Sequence, residues 1–123
     1  MIGLSLIDFI EVEIPDLTWR ERILFLLGRR QAFRVEGDSM LPILKSGDTV
    51  LVNPRAKIKP GDIVAANHPY IAKMKLIKRV ESIDAQGRFV LRGDNPQEST
   101  DSRSFGSLAK NELVGKVVCR LEA

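Results

Sequence analysis

The sequence predicts a mostly β domain: a coiled antiparallel sheet or partly closed barrel with one N-terminal helix. Two observations carry this. Six short apolar runs follow one another between residues 32 and 121, and each is separated from the next by Gly, Pro, Asp or Asn turn signals. Only one stretch, near the start, has helical periodicity with a cap at its front. The chain has 123 residues, of which 44% are apolar and 28% charged, so one domain can bury a core without disulfides.

Taken in order, Ile10, Val12 and Ile14 alternate with Glu11 and Glu13, the period of a half-buried strand, which Pro15 and Asp16 end. Thr18 opens a helix, with Glu21 three residues on as its capping-box partner. Trp19, Ile23, Leu26 and Leu27 share one face, which reads as core or docking surface, and Gly28 terminates the helix. The strand runs are Ala32 to Val35, Thr49 to Val52, Ile63 to Ala66, Ile71 to Val80, Phe89 to Leu91 and Leu113 to Leu121. Residues 1–34 thus form a strand and helix packed on the core, and residues 35–123 form the main β unit.

Composition narrows the function classes. The net charge is +3 and the basic residues are interleaved with acids, so a nucleic-acid surface is not indicated. The single cysteine, Cys119, lies in an apolar run and reads as a buried hydrophobe. One Cys and one His do not build a zinc site, and no metal or other cofactor is expected. The longest early apolar run, Ile23 to Leu27, falls far short of the roughly 20 residues of a membrane-spanning helix. No basic region precedes the first apolar residues, and Asp8, Glu11 and Glu13 follow soon after. A cytoplasmic protein without a secretory signal is expected.

Three segments carry candidate chemistry. In Gly37-Asp38-Ser39-Met40-Leu41-Pro42 a serine follows a strand in a turn, where it presents either a nucleophile or an ordinary cap. Serine needs a base, and lysine serves when desolvation keeps it neutral. Lys78, in Leu76-Ile77-Lys78-Arg79-Val80, lies on the opposite face of its strand from Lys73 and Lys75 under period two. The third segment, Arg92 to Arg103, is too polar for core and is either a solvated connection or a loop that buttresses a site. His68, between Asn67 and Pro69, reads as a surface-loop histidine.

Together these segments resemble the signal peptidase I superfamily, which includes the LexA-type self-cleaving repressors. GDSMLPIL resembles the nucleophile box with Ser39, LIKRV the lysine box with Lys78, and RGDNPQESTDSR the last box. The resemblance implies that Ser99 orients the lysine and that Asp101 and Arg103 form a structural ion pair. It implies a cleft in which Gly37, Asp38, Met40 and Pro42 line the path of an extended peptide. Where some members carry a serine that helps hold the oxyanion, this chain has Gly37, leaving the Ser39 N–H. The short form looks most like the nickel-type superoxide dismutase maturation proteases, which implies removal of a propeptide from the dismutase precursor. Two other readings stand beside it. One is an autoproteolytic regulator, although only 38 residues precede Ser39 and they hold one convincing helix rather than two. The other is a catalytically silent peptide-binding module on the same fold.

Overall fold

In the computed structural model, which describes residues 14–95, 97 and 101–121, six strands form one antiparallel sheet. They are β1 (Gln31–Arg34), β2 (Thr49–Asn53), β3 (Ile63–Asn67), β4 (Lys75–Ile83), β5 (Phe89–Arg92) and β6 (Leu113–Leu121). Their order across the sheet is β1-β2-β6-β3-β4-β5, so the sheet stays open, with β1 and β5 as its edges. Register shifts between Leu51 and Val52, Ala65 and Ala66, and Val80 and Ser82 mark bulges, which increase twist and bend the sheet.

Each of the six apolar runs holds a strand. β3 is a continuous apolar run because both its faces are buried. Ile63 and Ala65 enter one core cluster with Val35, Met40 and Leu44, while Val64 and Ala66 enter a second with Leu76, Phe89 and Phe105. Cys119 is buried in β6. β4 begins at Lys75 and not at Ile71, because the residues before it are a loop in which Lys73 takes a left-handed φ of 67°. The proposed strand over Ile10 to Ile14 falls largely on residues 10–13, outside those described. Asp16 makes a parallel bridge to Arg120 of β6.

Helix α1 spans Trp19–Leu26. The Thr18 hydroxyl accepts the Glu21 N–H at 3.2 Å. The Glu21 carboxylate is engaged elsewhere, by Arg30 at 2.7 Å, so the reciprocal half of the capping box gives way to an ion pair. Gly28, at φ 77°, supplies the left-handed residue just past the helix. The apolar face is open and not part of either cluster: Trp19 is 79% and Leu26 81% exposed. Two elements have no counterpart in the sequence reading, the short helix α2 (Ser102–Phe105) and a 3-10 turn at Lys110–Glu112. Among the described residues, no helix is long and apolar enough to cross a membrane.

One close approach fixes how β6 passes the end of β2. A side chain at Gly115 would meet the Asn53 carbonyl oxygen at 2.5 Å and Pro54 Cα at 2.8 Å, all backbone atoms that cannot swing aside. Gly115→Ala is therefore expected to cost about 1–3 kcal/mol, as overpacked cores do. A lowered denaturant midpoint with an unchanged slope is the measurement that checks it.

Candidate active site

Ser39 and Lys78 line the same cleft, of about 500 Å³, formed by residues 33–40 on one wall and 73–78 on the other. The first wall leaves β1 and turns at Gly37, whose φ of 78° is natural only for glycine. This turn is tied back to the body at several points. Val35 donates to the Asp48 carbonyl at 2.7 Å and accepts from Gly47 N–H at 2.9 Å. The Gly37 N–H reaches the Ser46 hydroxyl at 3.3 Å. Met40, next to the nucleophile candidate, is buried in the first core cluster and anchors Ser39, which is itself half-buried. Among the described residues, the Ser39 N–H donates to no acceptor.

The second wall is the front half of β4. Residues Lys75 to Arg79 pair with β3, whereas β5 pairs only with Arg79 to Ile83. Among the described residues, the edge of Lys75 to Lys78 away from β3 therefore has no strand beside it, and β1 pairs only with β2. The cleft thus runs between two strand edges, each with backbone groups available to an extended chain.

Lys78 is 4% exposed and lies on the same face of β4 as buried Leu76 and Val80, directly across from Val64 of β3. Lys75, which alternation puts on the other face, is exposed. Burial pushes the Lys78 amine below its ordinary value. The Asp101 carboxylate pulls in the opposite direction, and the Arg103 guanidinium adds to the lowering. A buried lysine held this way loses its proton more readily than one in water.

The polar segment after β5 buttresses both walls. Arg79, beside Lys78, grips Asp94 with two hydrogen bonds of 2.8 Å and reaches the Gly61 carbonyl at 2.7 Å. Asn95 then clamps the nucleophile turn. Its N–H donates to the Ser39 carbonyl at 2.8 Å and its side-chain amide to the Asp38 carbonyl at 3.1 Å. Asp101 is wholly buried. It caps α2 through the Arg103 N–H at 3.0 Å, accepts the Gly93 N–H at 3.2 Å, and pairs with the Arg103 guanidinium at 2.9 Å. Ser99 lies outside the described residues.

Of the groove candidates, Gly37, Asp38 and Met40 line the cleft and Pro42 does not. Arg79, Asp94 and Asn95 were not singled out from the sequence. For Asp94 and Asn95 the one available signal is that their polar segment is too long and too rich in Asn and Asp for a plain connection, whereas Arg79 sits inside the Lys78 strand with no local signal. Among the described residues, no group of three or more His, Cys, Asp or Glu stands together as a metal site.

A family model described as peptidase S24-like matches residues 8–118. The chain is 29% identical over 113 residues to the mitochondrial ATP-independent inner membrane protease subunit 1a of Arabidopsis thaliana, covering 71% of this chain and 67% of that protein. It is 28% identical over 108 residues to the human mitochondrial inner membrane protease subunit 1, covering 69% and 65%. Against signal peptidase IB of Staphylococcus aureus the identity is 29% over 76 residues, covering 62% and 39%. The chain thus spans about two thirds of the mitochondrial relatives' length and well under half of the staphylococcal one. With the family match running through both walls of the cleft, the protein belongs to the peptidase S24-like family, within the signal peptidase I and LexA-like superfamily.

Proposed function

We propose that the chain is a serine endopeptidase in which Lys78 activates Ser39 to cut the propeptide from a precursor protein. The observation that carries this is one cleft holding both the Ser39 turn and a lysine buried among aliphatic side chains. A peptide laid between the edges of β1 and β4 would pass both residues. The substrate we favour is a nickel superoxide dismutase precursor. That choice rests on the resemblance in the three boxes, while the curated relatives are named as inner membrane proteases and signal peptidases.

On this proposal, neutral Lys78 takes the proton from the Ser39 hydroxyl as its oxygen attacks the scissile carbonyl carbon. The oxyanion is met by the Ser39 N–H, a donor of a type typically worth about 10²–10³ in rate. The C–N bond then breaks, and the protonated Lys78 delivers its proton to the leaving amine. Water, deprotonated by the now neutral Lys78, attacks the acyl carbonyl, and the proton returns to the Ser39 oxygen as the C–O bond breaks. Ser99 would hold the Lys78 amine in line, and Asn95 keeps the Ser39 backbone from drifting.

Incubation of the chain with such a precursor, followed by N-terminal sequencing of the product, tests the proposal. A single new N-terminus at the mature boundary is expected, and an intact precursor would contradict the substrate. Ser39→Ala and Lys78→Met should both abolish cutting. Lys78→Met, which replaces a buried amine by an apolar chain of similar length, should nevertheless melt at or above the parent temperature. Asn95→Ala should lower kcat by roughly tenfold through misplacement of the nucleophile, with the fold intact by circular dichroism.

The pH profile has a definite sign. The base must be neutral, so kcat/KM rises with pH along a limb set by Lys78 and falls as the amine takes up a proton. Because burial depresses that amine, the limb lies below the pH range of an ordinary lysine. Arg103→Gln removes a like charge and should move the limb to higher pH. Asp101→Asn removes the opposing charge and should move it lower, as measured by kcat/KM profiles of the two variants beside the parent.

A further inference from the structure

The wall formed by residues 73–78 is reached from β3 through a loop organised around the only histidine of the chain. The His68 backbone N–H donates to the Met74 carbonyl at 2.9 Å, closing the loop where β4 begins. Its ring Nδ1 accepts two backbone N–H groups, from Tyr70 and from Ile71, each at 3.0 Å. The ring also lies edge-on to Phe105 of α2, with centroids 5.2 Å apart, and Phe105 is buried in the second core cluster. One imidazole therefore fastens the loop to itself and to α2. Further along, Lys73 holds a left-handed φ of 67°, a conformation a lysine keeps only when its surroundings impose it.

A ring nitrogen that accepts two N–H groups must carry its lone pair. The imidazolium has a proton on both nitrogens and no acceptor, so protonation turns both contacts from attractive to repulsive. Tyr70 lies edge-on to the ring, with centroids 6.3 Å apart. The charged groups on the elements packed here are Lys73 on the loop, Lys75 at the start of β4, and Arg103 of α2, which is paired with its cap Asp101.

We propose that His68 is a positioning residue for the peptide cleft. In its neutral form it holds the 68–74 loop in the shape that presents Lys73 and Met74 to the bound chain, and on protonation it releases that loop. The proposal rests on the reading of the cleft as a peptide site. His68 itself meets no reacting atom, so its influence falls on KM, whereas Lys78 governs kcat.

Because the chain has one histidine, its titration by NMR is unambiguous. In the full-length parent, Nδ1 should be the nitrogen without a proton in the neutral ring. The exchange protection factors of the Tyr70 and Ile71 amides should collapse as the ring takes up a proton. His68→Asn puts a side-chain oxygen where Nδ1 stood, and Asn can accept the N–H two residues on. It should retain Tyr70 protection at every pH, and His68→Ala should lose it at every pH. In precursor cleavage, His68→Ala should raise KM about fivefold with kcat within about twofold, the pattern of lost binding and not lost chemistry. His68→Asn should restore KM and remove its rise in acid. Protected Tyr70 and Ile71 amides in His68→Ala, an unchanged KM, or the same acid rise in His68→Asn would each overturn the proposal. The NMR arm needs no substrate. A parent that cuts nothing yet shows the His68-dependent amide pattern contradicts the protease reading and upholds the ordering of the loop by His68.

Discussion

A lysine amine placed inside an apolar sheet sets the terms for everything around it. Water would hold Lys78 charged at neutral pH, while the side chains of Val64, Leu76 and Val80 withdraw that solvation. The strands that bury it must be central, close-packed and tightly registered, and β3 and β4 meet that demand through the continuous pairing of Ile63–Asn67 with Lys75–Arg79. The environment cannot be wholly apolar, because an isolated charge would be too costly whenever a proton arrives. Asp101 and Arg103, themselves an ion pair, supply opposing fields, the carboxylate favouring the charged amine and the guanidinium opposing it.

The two halves of the cleft are anchored in different cores. The Ser39 turn leans on Met40 and Val35 in the first cluster, and the Lys78 strand leans on Leu76 and Val80 in the second. Strand pairing links the two halves only the long way round, from β1 through β2, β6 and β3 to β4, since among the described residues the front of β4 has no strand on its cleft side. The Arg79–Asp94 fork and the Asn95 clamp join them. Arg79 belongs to the lysine strand, Asn95 holds the serine turn, and Asp94 sits next to Asn95 in the chain. Paired forks of this kind fix orientation as well as distance, which loose surface contacts do not.

The strands were legible in the sequence because each apolar run had to end at a turn, and Gly, Pro and Asp mark those turns by their backbone chemistry. The orientation of Lys78 was legible for the same kind of reason, since alternation along β4 puts it opposite Lys75. The late start of β4 was not legible, because Ile71 and Met74 look like strand residues until the His68 bonds bend residues 68–74 into a loop. Helix α2 was hidden by its length: four residues give no periodicity, and its cap Asp101 sits in a run of polar residues that resembles solvent-facing loop. Asn95 was hidden for another reason. Its partner Asp38 is 57 residues away, and nothing local distinguishes a clamp from a solvated asparagine.

On the proposal made above, burial keeps Lys78 neutral enough to serve as a base for Ser39. Its titration can be followed directly by NMR of isotope-labelled lysine side chains, with Lys78→Met identifying the signal. A midpoint below that of the other lysines is expected, coincident with the pH limb of acyl-serine formation by an active-site probe. A Lys78 signal that titrates with the exposed lysines, or a probe reaction whose limb is indifferent to it, would contradict a base role for Lys78.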